Sequence, residues 1–290
     1  MSPWARARRV AARHPAGAAG AVLLAAIALA CLAGPALWPP GAREVDPAAR
    51  DRGPSAAHPF GTAELGEDVL ARVLEGGRAS LAIGLGTALL ATLAGAALGL
   101  LAGWRGGRVD ALLSRLTELV LIVPAFVVLI VVSLAVGRMG VWQAILALAL
   151  LSWPPLFRLA RASALRTREL PYVEAARAAG AGGGRIVARH LLPAAAPEVA
   201  SFAAIAVAVA ILAESALSFL GLGIDPERTL TWGNLMTDAQ DTIDRPWMTL
   251  FPGAFVVATA LGASLVADAV RAALAPDAPA RRRPSRRWAP

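Results

Sequence analysis

Few side chains in this sequence could carry out bond chemistry, and their spacing narrows the options quickly. His14, His58 and His190 are scattered and form no HExxH pair, so spacing offers no metal-ligand set. Cys31 is the single cysteine and lies in an apolar run, which excludes an intramolecular disulfide and a multi-cysteine metal site. All 28 basic residues are arginine. A P-loop uses a lysine behind its glycines to reach nucleotide phosphates, so a site of that kind is excluded and any ATP chemistry must reside in another chain. The long apolar stretches contain no Ser/His pair, metal triad or acid pair. No catalytic residue, metal or cofactor is therefore expected. What remains is Glu214, the one acid inside a long apolar run, with Ser218 one helical turn further on. A charged side chain near the centre of a spanning helix costs about 2.5 to 3.5 kcal/mol on insertion scales. Something must offset that: an aqueous path, an arginine from a neighbouring helix, or a position capping the apolar part of the span.

The elements that hold these residues follow from hydropathy. The 290 residues are 57% hydrophobic and 17% charged, with mean hydropathy +0.59, more apolar than an ordinary water-soluble domain. A helix crossing the roughly 30 Å hydrocarbon layer at about 1.5 Å per residue needs about 20 apolar residues. Six stretches qualify or nearly do: Pro15 to Ala42, Ala79 to Trp104, Leu119 to Gly137, Met139 to Phe157, Val199 to about Leu220, and Trp247 to Ala267. The fold class expected is all-α, a polytopic bundle of six transmembrane helices with both termini cytoplasmic. Arg138 alone separates the third and fourth stretches, which makes that pair a tight hairpin. The first stretch is longer than the apolar core of a signal peptide, so it is expected as an uncleaved span, with Trp38 at the outer interface.

Orientation follows from arginine placement, because basic residues are retained on the cytoplasmic side. With the N-terminus inside, the inner segments hold 20 arginines and the outer segments 8. The net charge of +8 is then a signal of topology and not of nucleic-acid binding. Along the chain this gives a cytoplasmic start and first span over 1–42, an external segment over 43–78, a five-helix core over 79–270 with a cytoplasmic loop at 158–198, and a basic tail over 271–290 that meets anionic lipid. Within the external segment, Leu65, Val69, Leu70 and Val73 recur at helical spacing and predict a short amphipathic helix over 64–76. Glu214 falls about 15 residues along its span, roughly 22 Å up at 1.5 Å per residue, in the outer half of the bilayer.

The loop over 158–198 is long, basic and only weakly apolar. Pro171 suits a first helical turn, Tyr172 to Ala179 are good helix formers, and Gly180 to Gly184 stop the helix. A second short helix is expected from Arg185 to Leu192, ending at Pro193. Two short helices hinged at glycines on the arginine-rich side have the character of a docking element.

The order Glu174-Ala175-Ala176, Gly180, Leu192-Pro193 resembles the EAA loop of ABC importer permeases. Further stretches resemble the dipeptide, oligopeptide and nickel permease family: His58 to Thr62, Tyr172 to Arg177, Ile211 to Glu214, Leu217 to Gly223, Trp232-Gly233-Asn234, and Leu250 to Gly253. The likeness runs from about Pro59 to Pro276. Ala63 and Glu67 stand where the family more often has Asp and Arg, Leu191 replaces an Ile, and Gly182 to Gly184 make the loop richer in glycine.

The resemblance implies a transport subunit without catalysis of its own. It would pair with a second, different permease, two cytoplasmic ATPase subunits and an extracytoplasmic substrate-binding protein, in a bacterial inner membrane. Tyr172, Glu174, Ala175, Ala176, Gly180, Leu192 and Pro193 would form the ATPase-docking loop, Glu214 and Ser218 would serve as polar groups on or near the path, and Trp232, Gly233 and Asn234 would lie in the external loop on the binding-protein side. The cargo would be peptides or a related small solute, nickel complexes included. The alternative, a transporter driven by an ion gradient, would favour internal repeats and several intramembrane ionisable groups, whereas only Glu214 is of that kind here.

Overall fold

The computed structural model describes residues 14–38, 41–237 and 244–274. The basic tail and the first arginines lie outside these, as do Asp238 and Asp241. Among the described residues the structure is helical, with only two isolated β-bridges, Thr62 to Asp68 and Met139 to Ile224. In chain order the helices are α1 Pro15–Leu37, α2 Val69–Arg105, α3 Gly107–Ile122, α4 Ala125–Val136, α5 Val141–Thr167, α6 Pro171–Ala178, α7 Gly183–Ile186, α8 Leu192–Phe219, α9 Trp232–Thr237 and α10 Trp247–Leu274.

Five helical stretches are long and apolar enough to span a membrane: α1, α2, α5, the run from Gly183 to Phe219, and α10. The third span differs from the straight helix expected. Pro124 has no N–H and disfavours a helical Val123, so the segment breaks there and α3 and α4 meet at 79°. Such a pair could cross the membrane or fold back on itself, and the packing of its neighbours decides. Gly86 faces Ile145, Gly95 faces Trp153, Gly99 faces Phe157 and Gly103 faces Ala164. Numbers rise together on α2 and α5, so the two helices are parallel and the chain must return the full height between them. From Ile145 to Ala164 that height is about 28 Å at 1.5 Å per residue. The bent pair is therefore a crossing, and the chain passes six times.

The same glycines explain how α2 and α5 approach so closely. A Cβ at Gly95, Gly99 or Gly103 would stand 2.5 to 2.6 Å from Trp153 O, Phe157 O or Ala164 Cβ. This four-residue repeat of small residues is the usual contact surface of helices in a bilayer, where burial gives no hydrophobic gain and close packing carries association. At its end, Arg161 forms a bidentate pair with Asp110 of α3, and Arg168 Nη1 donates to Gly103 O at 2.9 Å. Helices α1 and α10 run antiparallel, with Gly17 against Ala269 and Gly20 against Leu265. Ser201 Oγ donates to Ala267 O. The two described ends of the chain, the end of α2 and the segment 168–201 therefore share one end of the bundle.

Two helix boundaries differ from the sequence expectation. No separate amphipathic helix precedes the second span: Asp68 accepts from Ala71 N at 2.8 Å as an N-cap, and one helix of 37 residues runs from Val69. The boundary drawn between Arg78 and Ala79 thus falls inside α2. The second loop helix does not end at Pro193 but continues into the fifth span. Pro193 lacks an N–H, and its ring would strike the carbonyl four residues back in a regular helix. The chain answers with a π turn over Val187–Leu191, in which Leu192 N donates to Val187 O, and Pro193 then sits in the first turn of α8.

At the opposite end, residues 41–68 fold as a cap over the bundle. Phe60 stacks on Phe251 at 4.0 Å, Trp247 Nε1 donates to Thr62 O, and Arg245 bridges Asp51 and Glu64 at 2.8 and 3.2 Å. His58 Nδ1 pairs with Asp68 Oδ2 at 2.9 Å. No cluster of His, Cys, Asp and Glu able to hold a metal occurs among the described residues.

Candidate functional site

Helix α6 is eight residues long and stands on the end of the bundle away from the cap. Pro171 opens it and Gly180 closes it: Ala181 N donates to Ala176 O and Gly180 N to Arg177 O, the pair of bonds of a Schellman stop, with Gly180 at φ +82. One face turns inward. Val173 is fully buried, and Arg177, one turn on, lies over the Trp104 ring at 5.3 Å. Tyr172 meets the His190 ring at 5.7 Å, beside the π turn. The other face, with Glu174, Ala175 and Ala178, is exposed. Among the described residues the Glu174 carboxylate has no hydrogen-bond or ion-pair partner, although its backbone N–H donates to Leu170 O at 3.3 Å.

Of the loop residues singled out from sequence, Tyr172, Glu174, Ala175, Ala176 and Gly180 thus share one short element. Leu192 and Pro193 are exposed on the first turn of α8, beyond the π turn. Leu192 lines an open groove of about 620 Å³ between the end of α2 and the start of the fifth-span helix, with Trp104, Arg105, Gly183 and Val187 also on its walls. Trp104 was not among the residues picked out. Its only sequence signal was an aromatic beside an arginine at a span end, which any interfacial belt would supply.

Glu214 and Ser218 form a second site towards the cap end of α8. Ser218 Oγ donates to Glu214 Oε1 at 2.8 Å and accepts from Ile224 N at 3.2 Å. Glu214 Oε2 and Ser215 Oγ are buried without a hydrogen bond. Glu214 is 2% exposed, so its carboxyl reaches no surface of the chain, and no arginine lies within ion-pair distance among the described residues. Glu214 thus makes an internal polar contact with Ser218, an arrangement that was not among the three weighed from sequence.

Trp232, Gly233 and Asn234, expected from sequence in the external loop, lie on α9, and all three are buried. Trp232 N donates to Ser80 Oγ and its Nε1 to Val73 O, both at 3.0 Å, which ties α9 to α2. Gly233 lies against α8, where a Cβ would stand 2.6 Å from Ser215 Cα. Asn234 Oδ1 accepts from Thr231 N while Asn234 N donates to Thr231 Oγ1, a reciprocal cap of the type that starts helices. The three residues fasten two spans together at the cap end of the bundle.

Known proteins are similar to this chain along most of its length. The family described as binding-protein-dependent transport system inner membrane component matches residues 95–278, and the N-terminal TM domain of oligopeptide transport permease C matches residues 2–57. A protein of Brucella suis named as a peptide permease is 37% identical over 279 residues, covering 95% of this chain and 92% of its own. A dipeptide transport system permease of Alkalihalophilus pseudofirmus is 33% identical over 280 residues, covering 95% and 90%. The bent third span, the buried Trp-Gly-Asn anchor and the loop helix with one free face all lie inside the matched region. This chain belongs to the family of inner-membrane components of binding-protein-dependent transport systems.

Proposed function

We propose that the chain is one permease of an ATP-driven importer of peptides, with its loop helix α6 received by a cytoplasmic ATPase subunit. The observation that carries this is the free face of α6: Glu174, Ala175 and Ala178 are exposed while Val173 and Arg177 hold the helix to the bundle. A short helix packed on one side moves as a rigid body, as a lever between two proteins must. On this reading the loop end is cytoplasmic, in accord with the arginine asymmetry, and the cap over 41–68 is the face offered to a substrate-binding protein. A second, different permease completes the path, and two ATPase subunits supply the energy. Peptides are the cargo that the relatives' names support; nickel complexes are a narrower variant for the same machinery.

The test is co-expression with the partner permease, ATPases and binding protein of the same organism, followed by purification through a tag on this chain. Stoichiometric co-elution, with ATP-dependent peptide uptake after reconstitution, supports the reading. A lone chain that drives ion-coupled uptake in liposomes sinks it.

A further inference from the structure

We propose that Trp104 is a positioning residue that clasps the loop helix to both the second and the fifth spans, so that movement of α6 is passed to α2 and α8 together. The inference rests on the function proposed above and adds a residue that the loop motif does not contain.

Three elements converge on this one indole. Trp104 is the penultimate residue of α2. Arg177 of α6 lies over its ring at 5.3 Å. Gly183, the first residue of α7, lies against its edge: a Cβ there would stand 2.9 Å from Nε1 and 3.3 Å from the adjoining ring carbons. Gly183 has an ordinary φ, so glycine is required at this point by the close approach and not by backbone conformation. From Gly183 the helix runs through the π turn to Phe219, so the edge of the indole bears on the start of the whole fifth span.

Trp104 is only partly buried: it packs against the buried cluster that includes Val173, Ile186 and Leu191, and it also lines the open groove beside Arg105 and Leu192. The base of α2 itself is held to α5 through Arg168 and the glycine contacts, so α2 offers a firm seat. At the other end of α6, Tyr172 meets His190 at the π turn. The loop helix is thus attached at both of its ends, and the Arg177 end is the one that meets the Trp104 ring. Losing the ring would remove the contact that Arg177 and Gly183 share on α2.

The test uses the whole reconstituted transporter and two readouts. Trp104→Ala is expected to lower uptake per ATP hydrolysed about tenfold, within the range by which residues linking two sites shift coupling. Trp104→Phe, which keeps a ring for Arg177, should recover most of it, and Arg177→Gln should add little to Trp104→Ala because both remove the same contact. Uptake per ATP unchanged in Trp104→Ala overturns the proposal, as does a loss that Trp104→Phe does not recover. The second readout needs no transport. In a Cys31→Ser chain, spin labels at Ala178→Cys and Arg108→Cys should give a narrow distance distribution that broadens when Trp104→Ala is added. An unchanged distribution also overturns the clasp. If ATPases fail to co-elute with the unmodified chain, the function reading fails instead, and the spin-label result still judges the contact.

Discussion

Gly180 and Glu214 represent two ways in which a single residue constrains this protein. Gly180 sits at φ +82 with no heavy atom within 4 Å of a Cβ position, so its role is conformational and not steric. A β-branched residue there pays the left-handed penalty of about 1 to 2 kcal/mol, whereas asparagine largely avoids it. Gly180→Val should therefore fray α6 and weaken ATPase retention in a pull-down, and Gly180→Asn should not. Glu214 is constrained by its neighbours. Glu214→Gln keeps an acceptor for Ser218 and supplies an amide for the unpartnered Ser215 Oγ, so its melting temperature in detergent should match or exceed that of the unmodified chain. Glu214→Leu removes the acceptor and should be less stable by about 1 kcal/mol, the usual net worth of a hydrogen bond. At this scale the sequence identified both residues but could not choose among the roles of Glu214, because the absence of a nearby arginine is a fact of packing.

The elements show which local signals survive tertiary context. The spans were legible because about 20 uncharged residues in a row have few alternatives to a membrane helix. The break at Pro124 carried a readable signal, a Val-Pro step inside an apolar run, but hydropathy alone passes over it. Pro193 was read as a stop, yet a π turn just before it lets the helix continue. The burial of Trp232 was not legible at all, since its partners Ser80 and Val73 lie more than 150 residues away. The glycine contact between α2 and α5 yields a prediction of its own. A leucine at Gly99 would drive its side chain into Phe157 O, 2.5 Å from the Cβ position, and separate α2 from α5. Gly99→Leu should abolish folding, measured as loss of the monodisperse peak on size exclusion. Gly99→Ala should retain that peak with a melting temperature lowered by overpacking of about 1 to 3 kcal/mol.

For the whole molecule the account is a six-pass bundle with the loop helix at one end and a cap at the other. The parallel run of α2 and α5 requires the bent pair α3 and α4 to cross, which labelling can check. Cys31→Ser removes the only thiol, and single cysteines can then be placed at Gly107, Arg138, Gly182 and Arg228. An impermeant reagent outside intact cells should reach positions 138 and 228 but not 107 and 182. Reaction at 107 and 138 from the same side would mean that α3 and α4 fold back.

The most direct test of the central claim is site-directed crosslinking of α6 in the assembled transporter. With single cysteines at Ala175 or Ala178 in the Cys31→Ser chain, a short bifunctional reagent should join this chain to an ATPase subunit. The buried Val173→Cys, if it assembles, should not react. Crosslinking from the cap residue Arg43→Cys to an ATPase, or an active transporter in which 175 and 178 give no ATPase adduct, would contradict the account.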